Sequence, residues 1–306
     1  MPFAPRPAYD WHLRTRSLAL GRRTLVMGIL NATPDSFSDG GYFYDAAAAP
    51  QRAVDHAISM LEQGADIIDL GGESTRPHAT PITADEEQAR ILPVLHALLR
   101  ERPKTIVSID TFHAATALAA IEAGAEIVND VSGLLWDTEM AAACASLQCG
   151  AVLMHARGTP QEWSELPPLR HGDIMPMIVD GLEQSLASAV AAGISRERIV
   201  LDPGIGFGKR GDENYAILAQ LGELHRLGLP LLVGASRKGF LAKTLAAAPN
   251  LAVVHHGTAP PVDARLNATT AANVAAILAG AHIIRVHDVQ AAAEAAAIAD
   301  QILAAE

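Results

Sequence analysis

The sequence predicts an α/β fold, a single-domain (β/α)₈ TIM barrel with an N-terminal extension. Eight short apolar runs alternate with segments of helical pattern, and a polar residue closes nearly every run. Buried parallel strands read as continuous apolar runs because helices cover them. In a barrel the carboxyl ends of the strands meet at one face, which carries the active site. The residues that close the runs are Asn31, Glu73, Asp110, Asn129, Asp130, His155, Asp202, Arg237 and His287.

The boundaries follow from the apolar runs. Residues 1–23 form the predicted extension, residues 24–306 the barrel, and the segment 17–26 can form a small hairpin over the barrel bottom. The first barrel strand is predicted at about 24–30. A doubly wound open sheet is the rival fold, but it needs about five or six strands and a reversal of strand order, whereas eight units favour closure. Helices are predicted at roughly 46–63, 84–100, 112–123, 138–148, 173–192, 212–227, 265–279 and 289–304.

Four connections are too long to be simple turns. The loops at 31–45 and 71–83 follow the first two strands at the active face, and we expect them to be lids. A third long connection spans 156–171. The fourth, 246–264, follows a short helix and is expected to be a variable surface loop whose histidines, His255 and His256, are solvated rather than metal-bound.

Composition narrows the class of protein. The net charge of -11, from 23 basic and 34 acidic residues, argues against a non-specific nucleic-acid binder. Two cysteines, Cys144 and Cys149, are too few for a disulfide scaffold and are expected to be buried thiols. No targeting segment is visible, and no apolar stretch reaches the roughly 20 residues of a membrane span. We therefore expect a cytoplasmic enzyme that acts on small molecules.

Three strand ends predict a site for a ring that is rich in N–H groups. Asp110, Asn129 and Asp202 close the third, fourth and sixth apolar runs, so their side chains would point into one mouth. Two carboxylates and an amide accept hydrogen bonds from such a ring, of which a 2-amino-pyrimidinone is an example. A ligand without matching donors would leave a buried charge unpaired, so the site would reject it.

Basic side chains on the same rim predict an anion site. Arg76 lies in the loop after the second strand, Lys238 follows the seventh, and Arg285 and His287 close the eighth. Residues two apart on a strand share one face, so Arg285 and His287 point the same way. Barrels commonly bind phosphate near their last strands, and arginine forks match phosphate oxygens.

The glycine-rich and lid segments add further candidates. Asn31 and Asp35, at and after the first strand, supply the oxygen ligands that Mg²⁺ prefers. Phe37, an aromatic residue within a polar loop, suits closure over a flat substrate. In the segment LDPGIGFGK (201–209), turns forced by proline and glycine are expected to leave Phe207 and Lys209 projecting beside the mouth.

Eight segments together resemble the dihydropteroate synthase family of the folate pathway, in the family's order. They are MGILNATPDSFSDGG (27–41), GADIIDLGGESTRP (64–77), SIDT (108–111), VNDVSG (128–133), VLMH (152–155), LDPGIGFGK (201–209), GASRKGFL (234–241) and IIRVHDV (283–289). The resemblance implies a (β/α)₈ barrel, commonly a homodimer. It also implies a transferase that joins 6-hydroxymethyl-7,8-dihydropterin diphosphate to 4-aminobenzoate, giving 7,8-dihydropteroate and diphosphate.

The resemblance also implies a role for each matched residue. It sets the pterin ring against Asp110, Asn129, Asp202 and Lys238, with Met154, Phe207 and Gly234 beside it. It sets the diphosphate, with Mg²⁺ on Asn31 and Asp35, at Asn31, Arg76, Arg285 and His287. It sets 4-aminobenzoate near Phe37, Thr75, Pro77, Phe207 and Ser236. The implied catalytic residues are Asp35, Asp110, Lys238 and Arg285.

The sequence departs from the family at three places, and two other functions stay open. Phe112 and His113 replace polar or basic residues, His78 replaces a small residue, and Gly239 stands where many members carry a serine near the benzoate carboxylate. A pterin methyltransferase would share the pterin carboxylates but would need no diphosphate site. A non-catalytic paralogue would bind pterin without turnover.

Overall fold

The computed structural model describes residues 6–33, 49–74, 80–163, 165–251, 254 and 258–305. A hairpin of β1 (Tyr9–His12) and β2 (Ser17–Leu20) precedes the barrel. The barrel strands are β3 (Leu25–Asn31), β4 (Ile67–Gly71), β5 (Ile106–Asp110), β6 (Ile127–Asp130), β7 (Gly150–Met154), β8 (Ile199–Asp202), β9 (Leu232–Val233) and β10 (Ile283–Val286). The helices are α1 (Ala49–Glu62), α2 (Ala84–Glu101), α3 (Ala114–Glu122), α4 (Met140–Leu147), α5 (Ile174–Ala191), α6 (Glu213–Ala219), α7 (Gly239–Ala247), α8 (Leu266–Leu278) and α9 (Val289–Ala304).

Eight parallel strands form a closed barrel, as the sequence predicts. The strands follow one another from β3 to β8, and β10 joins β3 to β9. The two ends of this sheet meet where Leu201 of β8 bridges Leu231, and the Leu201 N–H donates to the Pro230 carbonyl at 2.9 Å. Because the strand order contains no reversal, the doubly wound alternative is wrong.

The strands show the alternation that directs polar side chains inward. In β5, Val107 and Ile109 belong to the core between sheet and helices, whereas Ile106 packs among the residues at the barrel bottom. Asp110 lines a cavity at the carboxyl end of the same strand. Successive side chains of a strand point to opposite faces, so Ser108 shares the inner face with Ile106 and Asp110. Inward positions therefore change from apolar at the bottom to polar at the top.

The barrel bottom is closed by a hairpin that lies earlier in the chain than expected. The sequence predicts the hairpin at residues 17–26, whereas the structure forms it from β1 and β2, within residues 9–20. The chain then turns at Gly21, whose φ of +107° suits glycine, and enters β3. Trp11, Leu13 and Leu20 are buried against the first residues of the barrel strands. The Trp11 indole N–H donates to the Arg198 carbonyl at 2.9 Å, so this ring is both buried and hydrogen-bonded.

Most predicted helices are present within a few residues of their expected limits, and two regions differ. The expected helix 212–227 is divided into α6 and a 3₁₀ helix at Leu221–Leu227. The expected surface loop 246–264 contains 3₁₀ helices at Pro249–Leu251 and Val262–Arg265 in its described parts. His255 and His256 lie outside the described residues.

Local capping explains where α2 begins. The Thr83 hydroxyl accepts from the Glu86 N–H at 3.2 Å, and the Glu86 carboxylate accepts from the Thr83 N–H at 2.8 Å. This reciprocal pair satisfies backbone donors that a helix N-terminus leaves without partners. At the opposite ends of helices, Gly64, Gly124 and Gly280 take positive φ angles, as expected for C-cap glycines.

Two further expectations concern membrane-spanning helices and the two cysteines. Within the described ranges, no helix has the length and apolar character required to cross a membrane. Cys144 and Cys149 are buried free thiols, as predicted.

The buried hairpin predicts that Trp11→Ala destabilises the fold by about 3–5 kcal/mol, because it leaves a large cavity and an unpaired carbonyl. Equilibrium unfolding in urea measures this loss. The matched control is Val190→Ala on α5, where the side chain is 45% exposed, and the expected change is within about 0.5 kcal/mol. Equal midpoints for Trp11→Ala and the parent would contradict a sealing role for the hairpin.

Candidate active site

One cavity opens at the carboxyl ends of the barrel strands, with a volume of about 460 Å³ that includes its open mouth. It collects side chains from seven of the eight strands or the segments that follow them, although these are distant in sequence. All but Ile29 and Val131 are residues that the sequence singled out. The lining residues are Ile29, Asp110, Asn129, Val131, Met154, Asp202, Phe207, Gly234, Ser236, Lys238, Arg285 and His287.

A buried ion-pair network joins the acidic and basic halves of this site. The Arg285 Nε–H donates to Asp69 Oδ2 at 2.6 Å, and Arg285 Nη2 donates to Asp110 Oδ2 at 2.5 Å. The Asn129 amide Nδ2 donates to the same Asp69 oxygen at 3.0 Å. The carboxylates of the middle strands and the arginine of the last strand are therefore in direct contact, close enough for one small molecule to touch both.

Asp69 is the residue of this network that sequence reasoning missed. Its side chain is 0% exposed in the middle of β4, and it contacts both Arg285 and Asn129. The usable signal was a charged residue inside the apolar run ADIIDLGG, because a buried strand position holds a charge only when a partner is supplied. The partner lies 216 residues further along the chain, so the sequence did not reveal it.

Burial sets the protonation behaviour of the site. Removal from water raises the pKa of Asp110 to about 7, although the Arg285 charge opposes the shift, and it also raises the pKa of Asp202. Burial lowers the pKa of Lys238 to about 7. Burial alone would lower the pKa of Arg285, but the Asp69 and Asp110 carboxylates raise it above its usual value. Arg285 is thus a permanent cation, whereas Asp110 and Lys238 titrate near neutral pH.

The loop after β8 is held rigidly beside the cavity. Asp202 Oδ1 accepts from the Gly204 N–H at 2.7 Å, which closes the turn. Gly204 has a φ of +66°, and a Cβ at this position would lie 2.0 Å from the His155 carbonyl oxygen, so only glycine fits. Asn214 of α6 supports the loop from behind by accepting from the Gly206 N–H at 2.7 Å.

Lys209 does not project beside the mouth, contrary to expectation. It is 4% exposed, and its ammonium donates to the carbonyls of His155, Pro203 and Gly204 at 2.5, 2.9 and 2.9 Å. Three carbonyl acceptors match the three ammonium donors, although burial lowers the pKa of Lys209 well below its usual value. Lys209 therefore fixes the loop and is not a ligand contact.

Phe207 and Lys238 form one wall of the cavity. The Lys238 ammonium lies 4.1 Å from the centroid of the Phe207 ring, a cation–π contact, and it also donates to the Ile205 carbonyl. Trp163 also packs against Phe207, in an edge-to-face arrangement with ring centroids 5.3 Å apart. The aromatic ring is therefore fixed at a position where it can face a flat ligand.

His287 and Ser236 lie together on the rim, where His287 Nδ1 is 3.0 Å from the Ser236 Oγ. Arg237, between Ser236 and Lys238 in the sequence, points elsewhere. It forms a bidentate pair with Asp288, with N···O distances of 2.6 and 2.9 Å. In this run, Ser236 and Lys238 line the cavity, whereas Arg237 pairs with Asp288 outside it.

Several polar residues that close the apolar runs do not line the cavity. Glu73 pairs with His113 at 3.1 Å, and Asp130 accepts from the Ser132 and Leu134 N–H groups at 2.7 and 3.1 Å. His155 is buried against Gly181 of α5, and burial lowers its pKa to about 2. Closing an apolar run therefore does not by itself place a residue in the cavity, because neighbouring helices and turns engage these side chains.

The other predicted site residues belong to the two loops that are expected to be lids. Asp35, Phe37, Thr75, Arg76 and Pro77, as well as His78, lie outside the described residues, so their predicted roles stay predictions. Asn31, half-buried, is the last residue of β3 and lies two positions beyond the cavity residue Ile29.

The barrel and its site define the class of this protein: a (β/α)₈-barrel enzyme with a cavity of polar and apolar side chains at the carboxyl ends of its strands. The chain belongs to the pterin binding enzyme family, which matches residues 27–287.

Individual relatives agree with this membership. A dihydropteroate synthase from Synechocystis is 42% identical over 294 residues, covering 96% of this chain and 92% of the relative. The Clostridium difficile dihydropteroate synthase, solved in the presence of pteroic acid, is 40% identical with a TM-score of 0.81, covering 92% of this chain and 98% of that chain. The Xanthomonas albilineans enzyme with 4-aminobenzoic acid is 35% identical with a TM-score of 0.83, covering 97% and 99%.

The buried ammonium of Lys209 predicts that Lys209→Met destabilises the protein by about 2–4 kcal/mol, since three buried carbonyls lose their donor. Urea unfolding gives the free energy, and hydrogen exchange of residues 203–209 reports the loop. Lys243→Met on α7, where the lysine is exposed, serves as the control. Unchanged exchange in the loop of the Lys209 variant would show that the ammonium does not hold it.

Proposed function

We propose that this chain is a dihydropteroate synthase, which condenses 6-hydroxymethyl-7,8-dihydropterin diphosphate with 4-aminobenzoate in folate biosynthesis. The single observation that carries the proposal is the convergence of Asp110, Asn129 and Asp202 with Arg285 in one cavity. Family membership and the synthases of about 40% identity support the same reaction.

The pterin ring matches the acidic side of the cavity. Its 2-amino-pyrimidinone edge carries several N–H donors. Asp110, Asn129 and Asp202 accept hydrogen bonds from these donors. Charge-assisted hydrogen bonds of this kind are about twice as strong as neutral ones. Phe207 and Met154 are apolar lining residues that cover the faces of the ring, and Lys238 supplies a donor beside them. The mixture of acceptors and apolar walls suits a flat heterocycle.

The leaving diphosphate matches the basic side. Arg285 carries five N–H donors, and the hydrogen bonds to Asp69 and Asp110 use two of them. The remaining donors and His287 hold the anion at the rim. In the proposed substitution, the bond between the pterin methylene carbon and the diphosphate oxygen breaks with its electron pair on oxygen. The amine of 4-aminobenzoate then bonds to that carbon and loses a proton.

A magnesium ion is part of the proposal. Asn31 at the end of β3 and Asp35 supply oxygen donors, and Mg²⁺ commonly shares such groups with substrate phosphates. One asparagine oxygen and one carboxylate are too few ligands for a closed protein site, which suits a metal shared with diphosphate. When bound, the ion would stabilise the charge that develops on the leaving group.

The second substrate is proposed to bind between the lids and the start of α7. Ser236 lines the cavity, and the helix begins at Gly239, where no described atom lies within 4 Å of the position a Cβ would take. This open helix N-terminus attracts the 4-aminobenzoate carboxylate. The lid residues Phe37, Thr75 and Pro77 remain proposed contacts for the same molecule.

The decisive experiment mixes the purified protein with 6-hydroxymethyl-7,8-dihydropterin diphosphate and 4-aminobenzoate. We expect stoichiometric diphosphate release and formation of 7,8-dihydropteroate, measured by a coupled phosphate assay and mass spectrometry. Pterin binding without release would indicate the non-catalytic paralogue instead and would contradict the proposal.

For the pterin subsite we predict that Asp202→Asn weakens binding of 6-hydroxymethylpterin by about 10- to 100-fold, because one charged acceptor becomes neutral. Asparagine retains an oxygen for the Gly204 N–H, so the loop should persist. Isothermal titration calorimetry measures the affinity, with Asp212→Asn as the control at an exposed position of the same segment. Parent-like affinity for the Asp202 variant would remove this residue from the site.

For the anion subsite we predict that Arg285→Lys weakens the pterin diphosphate by about tenfold or more, and free 6-hydroxymethylpterin less. Lysine keeps the charge but lacks the planar fork that serves two carboxylates and an anion together. Competition titrations with both ligands measure the difference, and Arg237→Lys, paired with Asp288, is the matched control. Equal losses for the two ligands would place the anion elsewhere.

We also propose that the chain forms a homodimer in the cytosol. Ile298 and Ile302 are 66% and 41% exposed one turn apart on α9, which supports an apolar contact surface there. The free thiols of Cys144 and Cys149 support a reducing compartment.

The dimer proposal predicts that Ile298→Glu yields a monomer, because it places a charge in the contact. Light scattering during size-exclusion chromatography measures the mass, with Val190→Glu on α5 as the control that stays dimeric. A variant that keeps the mass of a parent dimer, or a monomeric parent, would count against this surface.

A further inference from the structure

We propose that Asp69 is a positioning residue of the pterin site, whose buried carboxylate fixes the orientation of both Arg285 and Asn129 before the substrate arrives. The inference rests on the proposed function of the cavity. It concerns a residue beneath the cavity, because Asp69 is not among the lining side chains.

The register of the strands defines the position of Asp69. It pairs with Ser108 of β5, whereas Asp110 pairs with Gly71, two residues further along β4. Since side chains alternate along a strand, Asp69 faces the barrel interior one layer below Asp110. Oδ2 of Asp69 accepts from both Arg285 and Asn129. Its Oδ1 and the Ser108 hydroxyl are buried and have no hydrogen-bond partner among the described residues.

The contact with Asn129 determines which amide atom a ligand meets. An ionised carboxylate only accepts hydrogen bonds, so Asn129 must turn its NH₂ group toward Asp69. The amide oxygen is then the atom left to accept from a ligand. A flipped amide would set two oxygens against each other at Asp69 and would present donors to the donor-rich edge of the pterin. Asp69 therefore contributes to specificity without touching the ring.

The contact with Arg285 fixes a long side chain in advance. The Nε–H is bound by Asp69 and one Nη by Asp110, so the plane of the guanidinium is defined by two strands. Ordering a flexible arginine before binding reduces the entropy that the ligand would otherwise have to offset. The anion then meets donors that already point in one direction.

The charge of Asp69 also acts on Asp110. Burial is the main cause of the raised pKa of Asp110, and the Arg285 charge opposes it. The negative charge of Asp69 adds to the rise, as do those of Glu87 and Asp130. Replacing Asp69 by asparagine removes one like charge, so the pKa of Asp110 should fall. Because ionised Asp110 is the stronger acceptor, pterin binding should then reach its plateau at lower pH.

The test is calorimetric titration of 6-hydroxymethylpterin between pH 5.5 and 8.5 with the parent, Asp69→Asn and Ser108→Ala. For Asp69→Asn we expect the midpoint of the pH dependence to fall by roughly one unit. We also expect the plateau affinity to fall by about tenfold. Ser108→Ala removes a buried polar group at the same level of the barrel without changing charge, so its midpoint should equal that of the parent.

An unchanged midpoint, or a plateau affinity equal to that of the parent, overturns the proposal for Asp69. If Asp69→Asn does not fold, Asp69→Glu decides the matter, since it keeps the charge but displaces the carboxylate. We expect a reduced plateau affinity for the glutamate variant, and a parent-like value overturns the proposal. Diphosphate release by the parent is measured separately. A parent that binds pterin without release would refute the proposed catalysis, while the titrations would still decide the role of Asp69.

Discussion

Arg285 carries a permanent positive charge into the barrel, where it lies between the carboxylates of Asp69 and Asp110. A buried charge is tolerated only when partners replace the water it has lost. This requirement ties β10 to β4 and β5, and it explains why a strand that reads as apolar contains Asp69. The site depends on the ion pair, because removing one partner would leave the others uncompensated in a poorly hydrated interior.

Two structural layers support this interaction. Below it, Trp11, Leu13 and Leu20 of the hairpin region close the barrel bottom over apolar inward residues. Beside it, Lys209 and Asn214 hold the loop after β8 in a fixed conformation. The first layer excludes water from the bottom, and the second keeps Asp202 and Phe207 in place. A rigid surround lowers the cost of ordering the site when a ligand binds.

The sequence predicted much of the cavity because strand-end polarity is a local pattern. Asp110, Asn129, Asp202 and Arg285 were identified from their positions alone, and the structure brings them together. Other residues carried the same signal but turned out to support turns and helices, as His155 and Asp130 do. Local pattern reveals that a residue closes a strand. It does not reveal whether the cavity, a helix or a turn engages the side chain.

The sequence by itself determined the (β/α)₈ barrel, since apolar runs and helical periodicity are properties of neighbouring residues. It also determined which end of the barrel carries chemistry. Tertiary structure alone decided that Asp69 and Arg285 are partners and that Lys209 is buried under three carbonyls. It also decided that the hairpin forms from residues 9–20. The physical reason is that burial and partner choice depend on strands brought together by barrel closure, often across hundreds of residues. No pattern along the chain encodes those distances directly.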